Sequence, residues 1–204
     1  MDILEIIKTE PGSISWKDRY AHFRDFILPN FINLKFDPSD YLCDKCFFAS
    51  PASTKYHGAY EGGLFDHSLM VMETLVKLTE DNNLKWDRPE SPYIVGFFHD
   101  LCKTDQYIKV PGKPQKDGSM LYGENLFHYE FDAHTLYKGH GDKSVIMLSS
   151  LLKLTEEEAA CIRYHMGAYT EKEEWEFYGR AIERFPNVLW THHADMIASK
   201  IEGV

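Results

Sequence analysis

Apolar side chains recur at intervals of three and four residues along most of this chain, which is the spacing of one face of an α-helix. Near the beginning, that spacing is carried by Trp16, Tyr20, Phe23, Ile27 and Phe31. A longer stretch with the same spacing runs from residue 64 to 78, and one face of the predicted helix carries Leu64, Val71, Leu75 and Leu78. Further helices are predicted over 93–101, 143–154, 155–166, 173–185 and 187–201. The pattern therefore predicts an all-α fold.

Two segments depart from the helical spacing. Residues 47–61 show no periodicity and are predicted to form a loop. Between 106 and 132, the segments QYIKV and LFHYEFD alternate apolar and polar residues, and glycines separate them, which predicts a small β-hairpin insertion. No linker or internal repeat divides the chain, so we expect a single domain over 1–204, with 1–50 as an N-terminal helical extension.

Composition narrows the functional classes. The formal net charge of -10 disfavours binding to the phosphate backbone of long nucleic acids. No apolar run is long enough to cross a membrane, and the acidic first residues do not resemble a secretory signal. The four cysteines do not form a disulfide framework, and the Cys43-x-x-Cys46 motif lacks the second pair that a structural zinc site needs. We therefore expect a cytoplasmic protein.

Histidine and aspartate residues fall on the apolar faces of several predicted helices. A single histidine in such a place is usually a packed core residue. Here His67 lies on the stripe of the longest helix, and His99 precedes Asp100 within the apolar segment VGFFHDLCK, where an unpaired carboxylate would be costly. His165 and Asp195 lie among apolar neighbours in later helices.

One further histidine, His140, lies in a glycine-flanked turn just before a predicted helix. Imidazoles and carboxylates that converge from separate helices are typical of a metal site in a helical domain. The pattern therefore indicates metal binding, without showing how many ions are bound.

The order of these residues resembles the defining pattern of the HD superfamily of metal-dependent phosphohydrolases. EGGLFDHSL is similar to the segment around the family's first histidine, and FFHDLCK to its HD-x-x-K segment. GHGDKS and IRYHMG resemble the additional histidine segments of its dinuclear members. The resemblance runs from about residue 57 onward, apart from the hairpin, and is greatest to compact bacterial or phage-type members. It implies an HD-domain helical bundle that hydrolyses a small nucleotide-like phosphomonoester or phosphodiester.

The resemblance also implies roles for individual residues. A first metal ion would be held by His67, His99, Asp100 and Asp195. Asp100 would bridge to a second ion held by His140 and His165. Manganese, iron, magnesium and zinc are all compatible with imidazole and carboxylate ligands.

Substrate contacts are predicted from position. Lys103 follows Asp100 by three residues, so on a helix it would reach a substrate phosphate; the alternative is a salt bridge with Asp105 or another acid. His57 would bind the phosphate or protonate the leaving group, unless it is an ordinary loop histidine. Other positions with a possible role are Arg180, Tyr164 and Tyr169 in a nucleotide pocket, and His192 beside the Asp195 carboxylate.

Two other functions are compatible with the same ligands. Some HD-fold proteins hold a mixed-valent di-iron centre and are oxygenases, and others could bind nucleotides at a metal site that no longer turns over. Lys103 favours phosphate chemistry over the oxygenase.

Overall fold

Helices make up most of the computed structural model, which describes residues 2–32, 34, 37–137 and 139–204. The α-helices are α1 Ile3–Thr9, α2 Trp16–His22, α3 Ser39–Asp44, α4 Gly63–Asp81, α5 Ser91–Phe98, α6 His140–Ser149, α7 Glu156–Arg163, α8 Trp175–Arg184 and α9 Asn187–Ile197. A π-helical turn, Phe23–Ile27, extends α2, and a second, Ala198–Glu202, extends α9. Within the described ranges, no helix combines the length and apolarity that crossing a membrane would require.

Helix α4 lies at the centre of the fold and packs against α5 and α9. At Gly96 of α5, an added Cβ atom would lie 2.5 Å from the Cα atom of Met72, so only glycine permits this approach of the two helices. The N-terminal segment belongs to the same core, because the ring of Phe23 stacks on that of Phe97 with centroids 5.5 Å apart. The close contact between α4 and α5 brings the segments that carry His67 and His99 together.

A buried ion pair holds the beginning of α4. The guanidinium of Arg19 donates two hydrogen bonds to Asp66, at 2.7 and 2.8 Å, and the Tyr60 hydroxyl donates a third at 3.1 Å. Both charged side chains are almost completely shielded from solvent. Because Asp66 precedes His67, this network fixes the first turn of the helix that carries the histidine.

The predicted strands form two small antiparallel ladders. Strand β1, Tyr107–Pro111, pairs with β4, Phe127–Phe131, and the shorter β2, Lys113–Pro114, pairs with β3, Met120–Leu121. The described chain is therefore mostly α-helical with a small hairpin sheet, as the alternation of residues within 106–132 predicted.

Several predicted boundaries are wrong. Helix α5 ends at Phe98, so His99 and Asp100 lie in a turn and Lys103 lies in a 3₁₀ turn, Leu101–Asp105, that was predicted as continuous helix. The segment 143–154 is helical only to Ser149 and begins earlier, at His140. Helix α3 was not predicted at all, because its six residues are too few to show periodicity.

Other sequence predictions of local structure are confirmed. Thr155 and Glu158 form the predicted capping box at the start of α7, which ends at Arg163 and not at 166. The segment 47–61 contains only turns and bends and leads into α4. That loop carries His57.

Candidate metal centre

Six side chains from five parts of the chain converge in the interior. They are His67 of α4, His99 and Asp100 after α5, His140 at the start of α6, His165 after α7 and Asp195 of α9. The His67 Nε2 atom lies 3.2 Å from His99 Nε2 and 3.3 Å from an Asp195 oxygen. Groups of these residues bring their ligand atoms within 4.8 Å of one another and could hold a metal ion.

The carboxylate of Asp100 lies between two pairs of imidazoles. Its Oδ2 atom faces His99 Nε2 at 3.3 Å and His67 Nε2 at 3.6 Å. Its Oδ1 atom faces His165 Nε2 at 3.5 Å and His140 Nδ1 at 3.9 Å. Each oxygen of one carboxylate therefore faces a different pair of nitrogen donors.

The backbone orients three of these imidazoles in the same way. The Nδ1 atom of His67 contacts the backbone oxygen of Val204, that of His99 contacts Gly96, and that of His165 contacts Ile162, at 2.7 to 2.9 Å. A backbone oxygen can only accept, so each Nδ1 must carry the proton. When a ring of this tautomer is neutral, its Nε2 lone pair faces the centre, which is the usual arrangement of metal-ligating histidines.

Two polar atoms at the centre make no hydrogen bond with any described residue. They are Asp100 Oδ1 and His165 Nε2, and both are buried. Buried polar atoms without partners are costly, and lone pairs that face each other repel unless a proton or a metal cation lies between them. This donor set fits a divalent cation with imidazole and carboxylate ligands.

A glycine permits the approach of His140. An added Cβ atom at Gly141 would lie 2.1 Å from the backbone oxygen of Arg163, so α6 can begin directly against the end of α7. His165 follows that end by two residues, and the two histidines thereby reach the same carboxylate oxygen of Asp100.

Burial and charge shift the pKa values at the centre. Burial lowers the pKa of His99 and His140, which favours the neutral form that a metal ion requires. Burial would raise the pKa of Asp100, but the neighbouring Lys103 and His99 hold it well below its usual range. Likewise, the pKa of Asp195 is lowered despite its burial, because His67 faces its carboxylate. Both carboxylates are therefore ionised at neutral pH.

Lys103 lies directly beside the centre. Its Nζ atom is 2.6 Å from Asp100 Oδ2, and the side chain is almost fully buried. Burial opposes its charge, but Asp100 outweighs burial and raises the pKa of the lysine. The alternative partner, Asp105, instead pairs with Lys143. The 3₁₀ turn, not an α-helix, brings Lys103 to this position.

His57 also reaches the centre. Its ring lies 4.9 Å from the ring of His67, centroid to centroid. Burial lowers the pKa of His57 to about 4, so the imidazole is neutral at physiological pH. The Ser53 hydroxyl donates to the backbone oxygen of His57 at 2.8 Å, which fixes the loop.

A cavity of about 420 Å³ opens onto these groups. Asp100, Asp195, Lys103 and His57 line it together with aromatic and thioether side chains, among them Tyr107, Tyr169 and Met196. Its wall thus offers apolar and aromatic surface beside the charged centre.

Not every residue predicted from the sequence reaches this cavity. Arg180 does not line it and instead pairs with Glu176 on the exposed side of α8. Tyr164 packs against Tyr178. His192 lines the cavity, but its Nδ1 atom contacts the backbone oxygen of His165 at 2.9 Å, so the structure places its hydrogen bond there and not at Asp195.

Sequence reasoning missed Cys102. Its buried Sγ atom lies 3.8 Å from His140 Nδ1, and the two residues form a potential ligand group with Asp100. Burial raises the pKa of this thiol to about 12. The pair is separated by 38 positions, and only the packing of α6 on the 3₁₀ turn joins it, so spacing carried no signal. Cys43 and Cys46, the pair that the sequence did show, are exposed.

Comparison with known proteins does not assign this chain to a family. No protein-family model, curated protein or solved structure matches the chain. The candidate centre therefore has to be interpreted from its own residues.

Proposed function

We propose that this protein is a metal-dependent phosphohydrolase with the helical arrangement of the HD superfamily, acting on a small nucleotide-like phosphate ester. One observation carries the proposal: the two oxygens of Asp100 face two separate pairs of imidazole nitrogens in a buried centre. A carboxylate in that position suits a bridge between two cations.

The residues divide between two ion positions. His67, His99 and Asp195 would hold one ion together with Asp100 Oδ2. His140 and His165 would hold the other together with Asp100 Oδ1, which makes no hydrogen bond with any described residue. When bound, divalent ions at these positions would lower the pKa of a water molecule and offset charge on the phosphoryl oxygens.

Lys103 would bind the phosphoryl group. Its ammonium has three donors, and Asp100 occupies one of them at 2.6 Å. The remaining donors lie at the wall of the cavity, where a phosphoryl oxygen can accept them. A buried ammonium of this kind stabilises negative charge more strongly than one in bulk water.

His57 would orient the substrate as a neutral donor. With its pKa lowered to about 4, the imidazole carries a single N–H at neutral pH. That group can donate to a phosphoryl or leaving-group oxygen, while the loop bond from Ser53 holds the backbone in place. This role differs from general-acid catalysis, which would need a protonated ring.

Metal analysis combined with a substrate screen tests the proposal. Protein purified without added metal should contain a divalent ion, and phosphate release from nucleotides and simple esters should depend on Mn²⁺ or another divalent ion. Asp100→Asn should lower the metal content and reduce kcat/KM for phosphate release by about a thousandfold, whereas Glu130→Gln on the hairpin should change neither. Protein that retains iron, consumes O₂ with a substrate and releases no phosphate with any divalent ion would overturn the proposal in favour of an oxygenase.

A further inference from the structure

One lysine that lines the cavity has no ion-pair or hydrogen-bond partner among the residues that the structure describes. We propose that Lys200, with Ser199, forms a second anion-binding subsite, and that the preferred substrate carries a second phosphate besides the one that is hydrolysed. This inference deepens the proposed function and rests on it. Lys200 and Ser199 line the same cavity as Asp100, Lys103 and Asp195.

Lys200 differs from Lys103 and Lys143, the two other lysines near the centre, in its contacts. Lys103 is bound to Asp100, and Lys143 is bound to Asp105 and Thr135. Lys200 is exposed and makes no ion pair or hydrogen bond with any residue in the described ranges. An anion that enters the cavity would therefore not have to displace a described partner from Lys200.

The π-helical turn Ala198–Glu202 explains why Lys200 faces this way. On a straight α-helix, a residue five positions after Asp195 would be rotated by about 140° from it. A π-turn has more residues per turn, which reduces that rotation, and such turns are frequent at functional sites. The same turn leads to Val204, whose backbone oxygen orients His67. One irregular turn thus contributes both to the candidate metal centre and to the part of the cavity wall that carries Lys200.

The charge of the cavity also favours a substrate with several negative charges. Two divalent ions would more than neutralise Asp100 and Asp195, and Lys103 and Lys200 would add further positive charge. The chain as a whole has a formal charge of -10, so with both ions bound the cavity would contrast in sign with the net charge of the protein. A substrate with one phosphate group would not contact Lys200, whereas the second phosphate group of a bisphosphate substrate would bind it.

Binding of diol bisphosphates to the Mn²⁺-loaded protein tests the subsite without requiring turnover. A series from ethylene glycol bisphosphate to hexanediol bisphosphate spans different separations, and each is compared by calorimetry with its monophosphate at low ionic strength. At the best separation, the bisphosphate should bind about 10-fold more tightly. Lys200→Gln should remove that preference. Lys116→Gln makes the same charge change on the hairpin and should leave it intact.

The outcomes separate the subsite from the proposed function. If no member of the series prefers two phosphates, or if the preference survives in Lys200→Gln, the subsite is refuted even if esters are hydrolysed. If the preference depends on Lys200 but no phosphate ester is hydrolysed with any divalent ion, the subsite stands and the proposed hydrolysis fails. An equal loss in Lys116→Gln would mean that only the overall charge matters, which also refutes the subsite.

Discussion

Three histidines of the candidate centre and His128 of the hairpin share one backbone contact but differ in the surroundings of their other ring nitrogen. In His67, His99, His165 and His128 alike, Nδ1 contacts a backbone oxygen. The other nitrogen of His128 lies 2.9 Å from the carboxylate of Glu130 at the surface, so both ring nitrogens are satisfied. In the centre, by contrast, the Nε2 atoms face one another and the carboxylates of Asp100 and Asp195.

The comparison shows which feature distinguishes a candidate metal-ligating histidine from a structural one. The hydrogen bond to the backbone places a proton on Nδ1 in both regions and therefore does not discriminate between them. What differs is the environment of the remaining nitrogen, which in the hairpin is a single exposed carboxylate and in the centre is a buried group of competing acceptors. Only the second arrangement offers a buried group of donor atoms that could hold a cation.

Replacing Asp100 should have the largest effect, because its two oxygens face both imidazole pairs. Asp100→Asn preserves the shape and removes the negative charge. We expect the metal content to fall for both positions and kcat/KM for phosphate release to fall by about a thousandfold. Elemental analysis and steady-state kinetics measure the two effects.

Glu130→Gln is the matched control, since it removes a carboxylate that also faces a histidine nitrogen. It should change neither quantity. Full metal content in Asp100→Asn would show that the carboxylate does not bridge two ions.

Lys103 should affect turnover without affecting the metal. Lys103→Met retains the length of the side chain and removes the ammonium beside Asp100. The loss of a charge-assisted hydrogen bond to phosphate should reduce kcat/KM about 30- to 150-fold, which corresponds to about 2–3 kcal/mol. Elemental analysis should show unchanged metal. An unaltered rate would remove Lys103 from the mechanism, and a loss of metal would show that it acts through Asp100.

His57 should make the stability of the metal-free protein depend on pH. In the unfolded chain its imidazole takes up a proton below pH 6.5, whereas the buried ring stays neutral down to about pH 4. The unfolded state therefore binds more protons in this interval, and the free energy of unfolding should decrease as the pH falls from 6.5 towards 4. Urea unfolding should show a weaker dependence in His57→Gln. An equal dependence in both proteins would assign the effect to other groups.

Local periodicity predicted most of the fold but could not predict how the centre is assembled. The helix of His67, the capping box at Thr155 and the strands within 106–132 follow from patterns inside single segments. The end of α5 at Phe98 does not, because the apolar run continues past it while the chain turns to direct His99 and Asp100 inward. Spacing along the sequence cannot reveal such a turn.

The same limit applies to contacts between distant segments. Cys102 meets His140, and Val204 meets His67, only through tertiary packing. For Arg180 the sequence predicted a contact that the structure does not contain. The residue type suits a nucleotide pocket, but the side chain lies on the solvent side of its helix. Residue type and local spacing suggested the members of the centre, whereas burial and the direction of each side chain required the structure.

Replacing His128 should have the smallest effect on stability and activity. Together with a replacement of His165, it tests directly whether the two kinds of histidine differ in metal binding. Glu130 and the Gly112 backbone oxygen satisfy both of its nitrogens, and the hydrogen bond that His128 donates to the Gly112 oxygen raises its pKa. His128→Gln should leave metal content and phosphate release unchanged and shift Tm by no more than about 2 °C. His165→Gln, in contrast, should abolish the part of the Mn²⁺-induced rise in Tm that the second ion contributes, because ligand binding stabilises the folded state. Thermal unfolding with and without Mn²⁺ measures both variants. Equal responses of the two to Mn²⁺ would show that the His165 Nε2 atom, which has no hydrogen bond with a described residue, does not bind metal.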